Sequence, residues 1–71
     1  MEEFKLRPDD EYIQLTQLLK ATNIAESGSM AKMLIDDELV KVDGEIEYRY
    51  RRKLYDGMIV EFEDSKIKVV K

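Results

Sequence analysis

The spacing of the apolar residues changes near residue 38, and this change restricts the possible folds more than any other feature of the chain. Before it, Leu18 and Leu19 follow Leu15 at three and four residues, which is the spacing of one helix face. After it, apolar and polar residues alternate, as they do in half-buried strands. Each element then has one apolar face to bury, and packing in layers buries them all. The sequence therefore predicts an α+β fold, with two short helices packed on a small, mostly antiparallel sheet.

Two short helices are predicted, and each has recognisable ends. The first begins at Leu15 and is ended by Asn23, a residue type that tolerates left-handed backbone. The second runs from about Ser29 to Asp37, and Ser27 is suited to cap its first amide groups. The first helix has only about two turns, so it depends on packing against the rest of the chain.

The predicted element order is β-α-α-β-β-β-β, with strands at residues 4–6, 39–42, 45–49, 58–63 and 66–70. Asp43-Gly44 is typical of the two-residue turn that joins antiparallel strands. Alternation along the strand after this turn places Ile46 and Tyr48 on one side, and Tyr48 is expected to belong to the core. Residues 11–14 fit a strand or the entry of the first helix equally well.

The residue types that are missing exclude several classes of function. The 71 residues contain no Cys and no His, which excludes disulfides, thiolate or imidazole metal sites and histidine acid–base catalysis. Without a nucleophile–base pair or a nucleotide-phosphate glycine motif, we predict neither an enzyme nor a cofactor. A chain of this length forms one domain, residues 1–71. It lacks a long apolar run and the residue order of a signal peptide, so we expect a cytoplasmic protein without a membrane partner.

The charges are distributed unevenly along the chain. Sixteen acidic and twelve basic residues give a net charge of −4, with −5 in residues 1–38 and +1 in residues 39–71. The segment Tyr48–Tyr55 reads Y-R-Y-R-R-K-L-Y and contains four cations and no anion. The acidic body repels nucleic acid at long range, but charges are screened beyond about 8 Å. A local cationic site can therefore still bind phosphate.

Two interpretations of this basic segment remain open from the residues alone. Arginines bind phosphate in a bidentate manner, and Tyr50 is a candidate for stacking on an unpaired base. Alternatively, the arginines pair with Glu45, Glu47 or Asp36, and the tyrosines belong to the core. The start of the second helix could likewise bind an anion with the help of Lys32, but an ordinary helix cap has the same sequence.

Several short motifs follow one another at a characteristic spacing. They are Leu15…Leu19, Ser27-Gly28-Ser29-Met30-Ala31-Lys32, Val40-Lys41-Val42-Asp43-Gly44-Glu45, Arg52-Lys53-Leu54 and Asp56-Gly57. No one of them is specific, but the ordered set resembles the S4-like RNA-binding domain over about residues 11–70. Within that family, the chain looks like the short stand-alone bacterial branch of the YaaA/YbcJ type.

The resemblance implies a fold, an activity and a contact surface. The fold is the αL motif, in which two packed helices are followed by a small sheet. The activity is non-catalytic binding of structured RNA, often ribosomal RNA, through a cationic groove formed by the second helix and the following hairpin. With Tyr50 and Arg51 added from the basic segment, the expected RNA-binding residues are Ser27, Gly28, Ser29, Lys32, Lys41, Arg49, Tyr50, Arg51, Arg52 and Lys53.

The partner that the resemblance implies is RNA, bound free, on a ribosomal particle or together with an assembly factor. An alternative function also remains open. The chain could be a protein–protein interaction module, associated with the ribosome or an assembly factor, that makes no direct contact with RNA. The basic segment would then dock on an acidic protein surface.

Overall fold

The computed structural model describes residues 1–71, which form two helices and seven strands. In chain order these are β1 (Glu2–Lys5), β2 (Tyr12–Gln14), α1 (Leu15–Ala21), α2 (Gly28–Asp36), β3 (Val40–Val42), β4 (Glu45–Ile46), β5 (Lys53–Tyr55), β6 (Ile59–Phe62) and β7 (Ser65–Val70). Five strands form a sheet in the order β1-β7-β6-β3-β4, in which only β1 and β7 run parallel. Strands β2 and β5 form a separate antiparallel pair. The predicted fold, two short helices on a mostly antiparallel sheet, is confirmed.

One apolar core holds the helices against both sheets. Leu15, Leu18 and Leu19 of α1 have no exposed surface, and the seven residues of this helix would not stay helical without that burial. Leu54 of β5 is also fully buried in the same cluster, so the small second sheet is fixed to the main core. The other buried members come from α2 and the large sheet and include Ala31, Leu34, Ile35, Val40, Val60, Ile67 and Val69.

The helix ends agree with the predictions to within about two residues. Asn23, just beyond α1, has the left-handed backbone expected of it, with a φ of 63°. Ser27 caps α2, because its hydroxyl oxygen accepts a hydrogen bond from the backbone N–H of Met30 at 3.1 Å. The hairpin at Asp43-Gly44 is also confirmed, with both residues at positive φ.

The strand predicted at residues 45–49 is shorter, and its faces are reversed. The two-residue turn before it pairs Lys41 with Ile46, and residues directly opposite each other point to the same side of a sheet. Ile46 therefore shares the outer face with Lys41 and is 39% exposed. Tyr48, beyond the end of β4, is 61% exposed. The prediction that Tyr48 lies in the core was wrong, and Ile46, which the alternation placed on the same side, is exposed as well.

The second sheet was not predicted as such. Residues 12–14, which fitted a strand or a helix start equally well, form β2, and its partner β5 was not assigned to any element. β5 is short, and only Leu54 of its three residues is buried. Its alternation is therefore too brief to stand out from the run of cations before it.

Gly44 offers a test of the hairpin. Its φ of 87° lies in a region of backbone conformation that residues with a side chain rarely adopt. An added Cβ would itself contact no other atom. We expect Gly44→Ala to lower the free energy of unfolding by about 1 kcal/mol, measured by urea denaturation. Gly28→Ala is the matched control, because Gly28 lies in the first turn of α2 and its added Cβ is also free of contacts. It should leave stability unchanged or raise it slightly, and equal losses in both variants would contradict the argument.

Candidate nucleic-acid interface

Residues 47–52 join β4 to β5 and are called here the arginine turn. Their backbone is fixed to the start of α1, where helix N–H groups have no partner within the helix. The carbonyl oxygen of Arg52 accepts a hydrogen bond from the N–H of Leu15 at 2.9 Å, and that of Tyr50 accepts one from Thr16 at 3.2 Å. The basic segment is therefore a fixed part of the fold.

Glu47 is the buried carboxylate at the base of the arginine turn, with 6% of its surface exposed. One oxygen, Oε2, accepts hydrogen bonds from the backbone N–H groups of Tyr48 at 3.1 Å and Arg49 at 3.0 Å, and from Nε of Arg49 at 3.0 Å. The other, Oε1, accepts from Nη1 of Arg52 at 2.8 Å and from Nη2 of Arg49 at 3.3 Å. This carboxylate therefore holds two guanidinium groups and the turn backbone in one arrangement.

The surroundings of Glu47 keep it ionised. Burial alone would raise its pKa, but the hydrogen bonds and charge of Arg49, together with Arg52, lower the pKa from 4.5 to about 2. The hydrogen bond to Glu47 in turn raises the pKa of Arg49. Pairing of the arginines with an acidic neighbour, one of the two interpretations left open by the sequence, is thus confirmed for Arg49 and Arg52.

The arginine turn also contacts α2. The hydroxyl of Tyr50 donates a hydrogen bond to Oδ1 of Asp36 at 2.5 Å, and this bond raises the pKa of Tyr50. Nζ of Lys32 lies 5.6 Å from the centre of the Tyr50 ring. Lys32 and Asp36 are one helical turn apart, so the exposed face of α2 and the arginine turn meet at this ring. The hydroxyl of Tyr50 and one approach to its ring are therefore already occupied.

A groove of about 480 Å³ lies beside the arginine turn. Arg51 and Lys53 have no ion-pair partner, and the side chain of Arg49 remains 69% exposed despite its contact with Glu47. Several donors can therefore reach one anion from the walls of the groove. Four cations and no carboxylate are among the six residues that line it, which are Arg49, Arg51, Arg52, Lys53, Tyr55 and Met58.

The other expected contact residues do not line this groove. Ser27 caps α2, Gly28 and Ser29 form its first turn, and Lys32 adjoins the arginine turn through Tyr50. Lys41 projects from β3 on the outer face of the sheet, directly opposite Glu61 of β6 in the strand register. Of the ten expected contact residues, the groove therefore brings together Arg49, Arg51, Arg52 and Lys53, while the others lie outside it.

Sequence reasoning missed two of the residues that line the groove. Tyr55 is 45% exposed, and the turn at Asp56-Gly57 brings Met58 back beside it. The N–H of Met58 donates to the carbonyl oxygen of Tyr55 at 3.1 Å. Assigning residues 53–55 to a strand would have placed Lys53 and Tyr55 on one face.

A second cavity, of about 720 Å³, is less suited to a polyanion. Three carboxylates line it, those of Asp9, Asp10 and Glu11, against two cations, Arg7 and Lys20. Neither these carboxylates nor any other group of three or more potential ligand side chains is arranged to hold a metal ion. Neither helix has the length and apolar character that crossing a membrane requires.

The chain is similar in sequence to known proteins. The family model described as the S4 domain matches residues 4–70. YbcJ of Escherichia coli K12 is 41% identical over 59 residues, which are 83% of this chain and 84% of YbcJ. RlbA of Bacillus subtilis 168, described as a probable ribosome maturation protein, is 44% identical over 55 residues, or 78% of each chain.

The fold is similar to that of a solved structure as well. The solution structure of E. coli YbcJ matches with a TM-score of 0.74 and 38% identity, covering 100% of this chain and 89% of YbcJ. That structure is described as revealing an αL motif involved in RNA binding. The chain is therefore similar to YbcJ both in sequence and in fold.

Proposed function

The chain belongs to the S4 domain family, and from this membership we propose that it binds structured RNA, in particular ribosomal RNA, without catalysing a reaction. The contact surface is the groove beside the arginine turn, extended by Lys32 and the start of α2. The observation that carries the proposal is that four cations and no carboxylate line one groove on a chain whose net charge is −4. Phosphate oxygens are the ligands that such a groove suits.

Pairing with Glu47 does not remove the two paired arginines from this function. A guanidinium group carries five N–H donors, of which Arg49 gives Nε and Nη2 to Glu47 and Arg52 gives Nη1. The remaining donors are available to phosphate, and Arg51 and Lys53 have no ion-pair partner that competes with it. Four cations and one carboxylate leave a local charge of +3.

The uneven charge of the chain supports selectivity. Residues 1–38 carry −5 and repel phosphates outside the groove, so a long uniform duplex gains few contacts and meets many anions. A folded RNA can present a compact set of phosphates to the groove alone. The ribosomal identity of that RNA is supported by the description of RlbA as a probable ribosome maturation protein.

A salt titration tests this proposal. Binding of a structured ribosomal RNA fragment should weaken with added salt, with a slope of about −3 to −5 in a plot of log K against log salt concentration. That slope corresponds to about four to six phosphate contacts. A DNA duplex of equal length is the control, and we expect it to bind much more weakly at every salt concentration. Fluorescence anisotropy of labelled nucleic acids measures both.

Two further outcomes would decide the function. Absence of RNA binding at the lowest salt concentration would refute the proposal and leave a protein-interaction module as the better explanation. Crosslinking in cells followed by sequencing of the bound RNA tests the ribosomal part separately. Enrichment of other structured RNAs over ribosomal RNA would correct the RNA class and keep the RNA-binding function.

A further inference from the structure

One aromatic side chain stands beside the cations of the groove, and the proposed function gives it no role. Tyr55 is 45% exposed and lines the groove together with Met58. Phosphates alone would need only the cations, whereas Tyr55 and Met58 add an apolar surface. A ligand that is anionic on one side and flat and apolar on the other would use both parts. A nucleotide whose base is not paired has this chemistry.

The Tyr55 ring is supported from the protein side. It lies opposite Tyr12 across the β2–β5 pair, with 5.7 Å between ring centroids and an angle of 54° between the rings. Nζ of Lys53 lies 5.0 Å from the centre of the Tyr12 ring, so Tyr12 is covered by two neighbours. Tyr55 is thus held by a packed partner while its exposed part borders the groove.

Met58 completes the same end of the groove. Its Sδ accepts a hydrogen bond from the backbone N–H of Tyr55 at 3.1 Å, which fixes the thioether beside that residue. Thioether sulfur is polarisable and makes favourable contacts with aromatic rings. Tyr55 and Met58 therefore form an aromatic and thioether surface next to Lys53.

The other two tyrosines of the basic segment are less suited to a base. Tyr50 already donates its hydroxyl to Asp36 and has Lys32 over its ring. Tyr48 is 61% exposed, but it does not line the groove, and the nearby charge of Glu38 raises its pKa. A negative charge at that position repels the phosphates that accompany a base. These contacts make Tyr55 better suited to stack on a base than Tyr50, the candidate that the sequence favoured.

We propose that the Tyr55 and Met58 end of the groove binds one unpaired base of the RNA, while the adjoining phosphates contact Arg51 and Lys53. This inference rests on the proposed RNA-binding function and names the class of RNA: a folded RNA with an unpaired nucleotide in a loop or bulge. Stacking of one base on an aromatic side chain changes affinity by about tenfold. Selectivity for a loop or bulge over a continuous helix then arises at this end of the groove.

The test compares two RNAs and four proteins. A hairpin RNA carries the fluorescent base 2-aminopurine in its loop, and a fully paired RNA of equal length serves as the second ligand. The proteins are the wild type, Tyr55→Ala, Tyr55→Phe and Tyr48→Ala. Tyr48→Ala is the matched control, because it also removes an exposed tyrosine from the basic segment, but outside the groove. Circular dichroism checks that every variant is folded.

Tyr55→Ala should bind the hairpin about tenfold more weakly and lose the stacking-dependent change of 2-aminopurine fluorescence, with its affinity for the paired RNA unchanged. Tyr55→Phe, which keeps the ring, and Tyr48→Ala should behave as wild type. Unchanged hairpin affinity and fluorescence in Tyr55→Ala would overturn the base contact while leaving phosphate binding intact. Failure of the wild type to bind either RNA would refute the proposed function itself, and the base contact with it.

Discussion

We expect Glu47→Gln to lower the free energy of unfolding by about 2 kcal/mol at pH 7 and to lower the Tm by about 10 °C. The amide still offers one acceptor oxygen, but it cannot hold Arg49, Arg52 and the turn backbone at once as the carboxylate does. A domain of this size has a total stability of only about 4 to 10 kcal/mol, so this loss is a large fraction. Urea denaturation and calorimetry measure both quantities.

The same substitution should weaken RNA binding, although it makes the protein less negative. Glu47→Gln raises the net charge from −4 to −3, which alone would favour phosphate. We nevertheless expect RNA affinity to fall about fivefold or more, because the guanidinium groups of Arg49 and Arg52 lose the contact that positions them. The matched control is Glu45→Gln, which makes the same charge change at an exposed position of β4. It should leave stability unchanged and RNA binding equal or slightly tighter.

Lowering the pH should destabilise the wild-type protein in the same way as Glu47→Gln, because it neutralises the Glu47 carboxylate. The folded pKa of Glu47, about 2, lies below the value of 4.5 expected without its partners. Its contribution is therefore complete above about pH 5 and is largely lost as the pH falls toward 2. The stabilities of wild type and Glu47→Gln should converge across that range. A gap between them that stays constant from pH 7 to pH 2 would show that Glu47 does not act through its charge.

The double variant Arg51→Glu/Lys53→Glu is expected to lose at least about 100-fold in RNA affinity at about 100 mM salt while keeping its fold. Both side chains line the groove and neither has an ion-pair partner, so the one contact given up within the protein is that of Lys53 Nζ with the Tyr12 ring. Two attractive contacts with phosphate become repulsive, and the slope of the salt titration should become shallower by about two. Anisotropy titrations at several salt concentrations measure the affinity and the slope together.

A matched variant separates the local site from the overall charge. Lys66→Glu/Lys68→Glu makes the same change in net charge, from −4 to −8, at two exposed positions of β7. We expect only a modest loss of affinity, because these residues do not line the groove and screening limits their reach. Equal losses in the two double variants would mean that the total charge controls binding and that the groove is not the site.

Much of the fold could be predicted because local chemistry determines it. Ser27, Asn23 and Asp43-Gly44 each act within a few residues of the chain, and the structure uses them as predicted. The face of β4 could also have been derived. A two-residue turn at 43–44 pairs residue 41 with residue 46, which fixes Ile46 on the side of Lys41. The prediction relied on the apolar character of Ile46, whereas the strand register determines which face of the sheet this residue occupies.

The interface could be predicted only in part, because its organisation depends on contacts between distant residues. The cluster of cations was visible in the sequence, and so was the pairing of arginines with an acidic neighbour as an alternative. The number of hydrogen bonds that Glu47 accepts depends on the conformation of the chain after β4. No sequence pattern within this segment predicts that conformation. Tyr55 belongs to the groove only because β5 pairs with β2, forty residues away in the chain. The contact residues themselves stay predictions.

The parallel pairing of β1 with β7 has a consequence for how the molecule is made. Glu2 lies opposite Ile67 and Lys5 opposite Val70, so residues 2–5 have no strand to pair with until residues 65–70 have been synthesised. The same strand also supplies Ile67 and Val69 to the core against which the helices pack. Throughout that interval the growing chain carries an unpaired β segment, which other chains can recruit. Completing β7 therefore gives this segment its partner strand and removes one of its two unpaired edges.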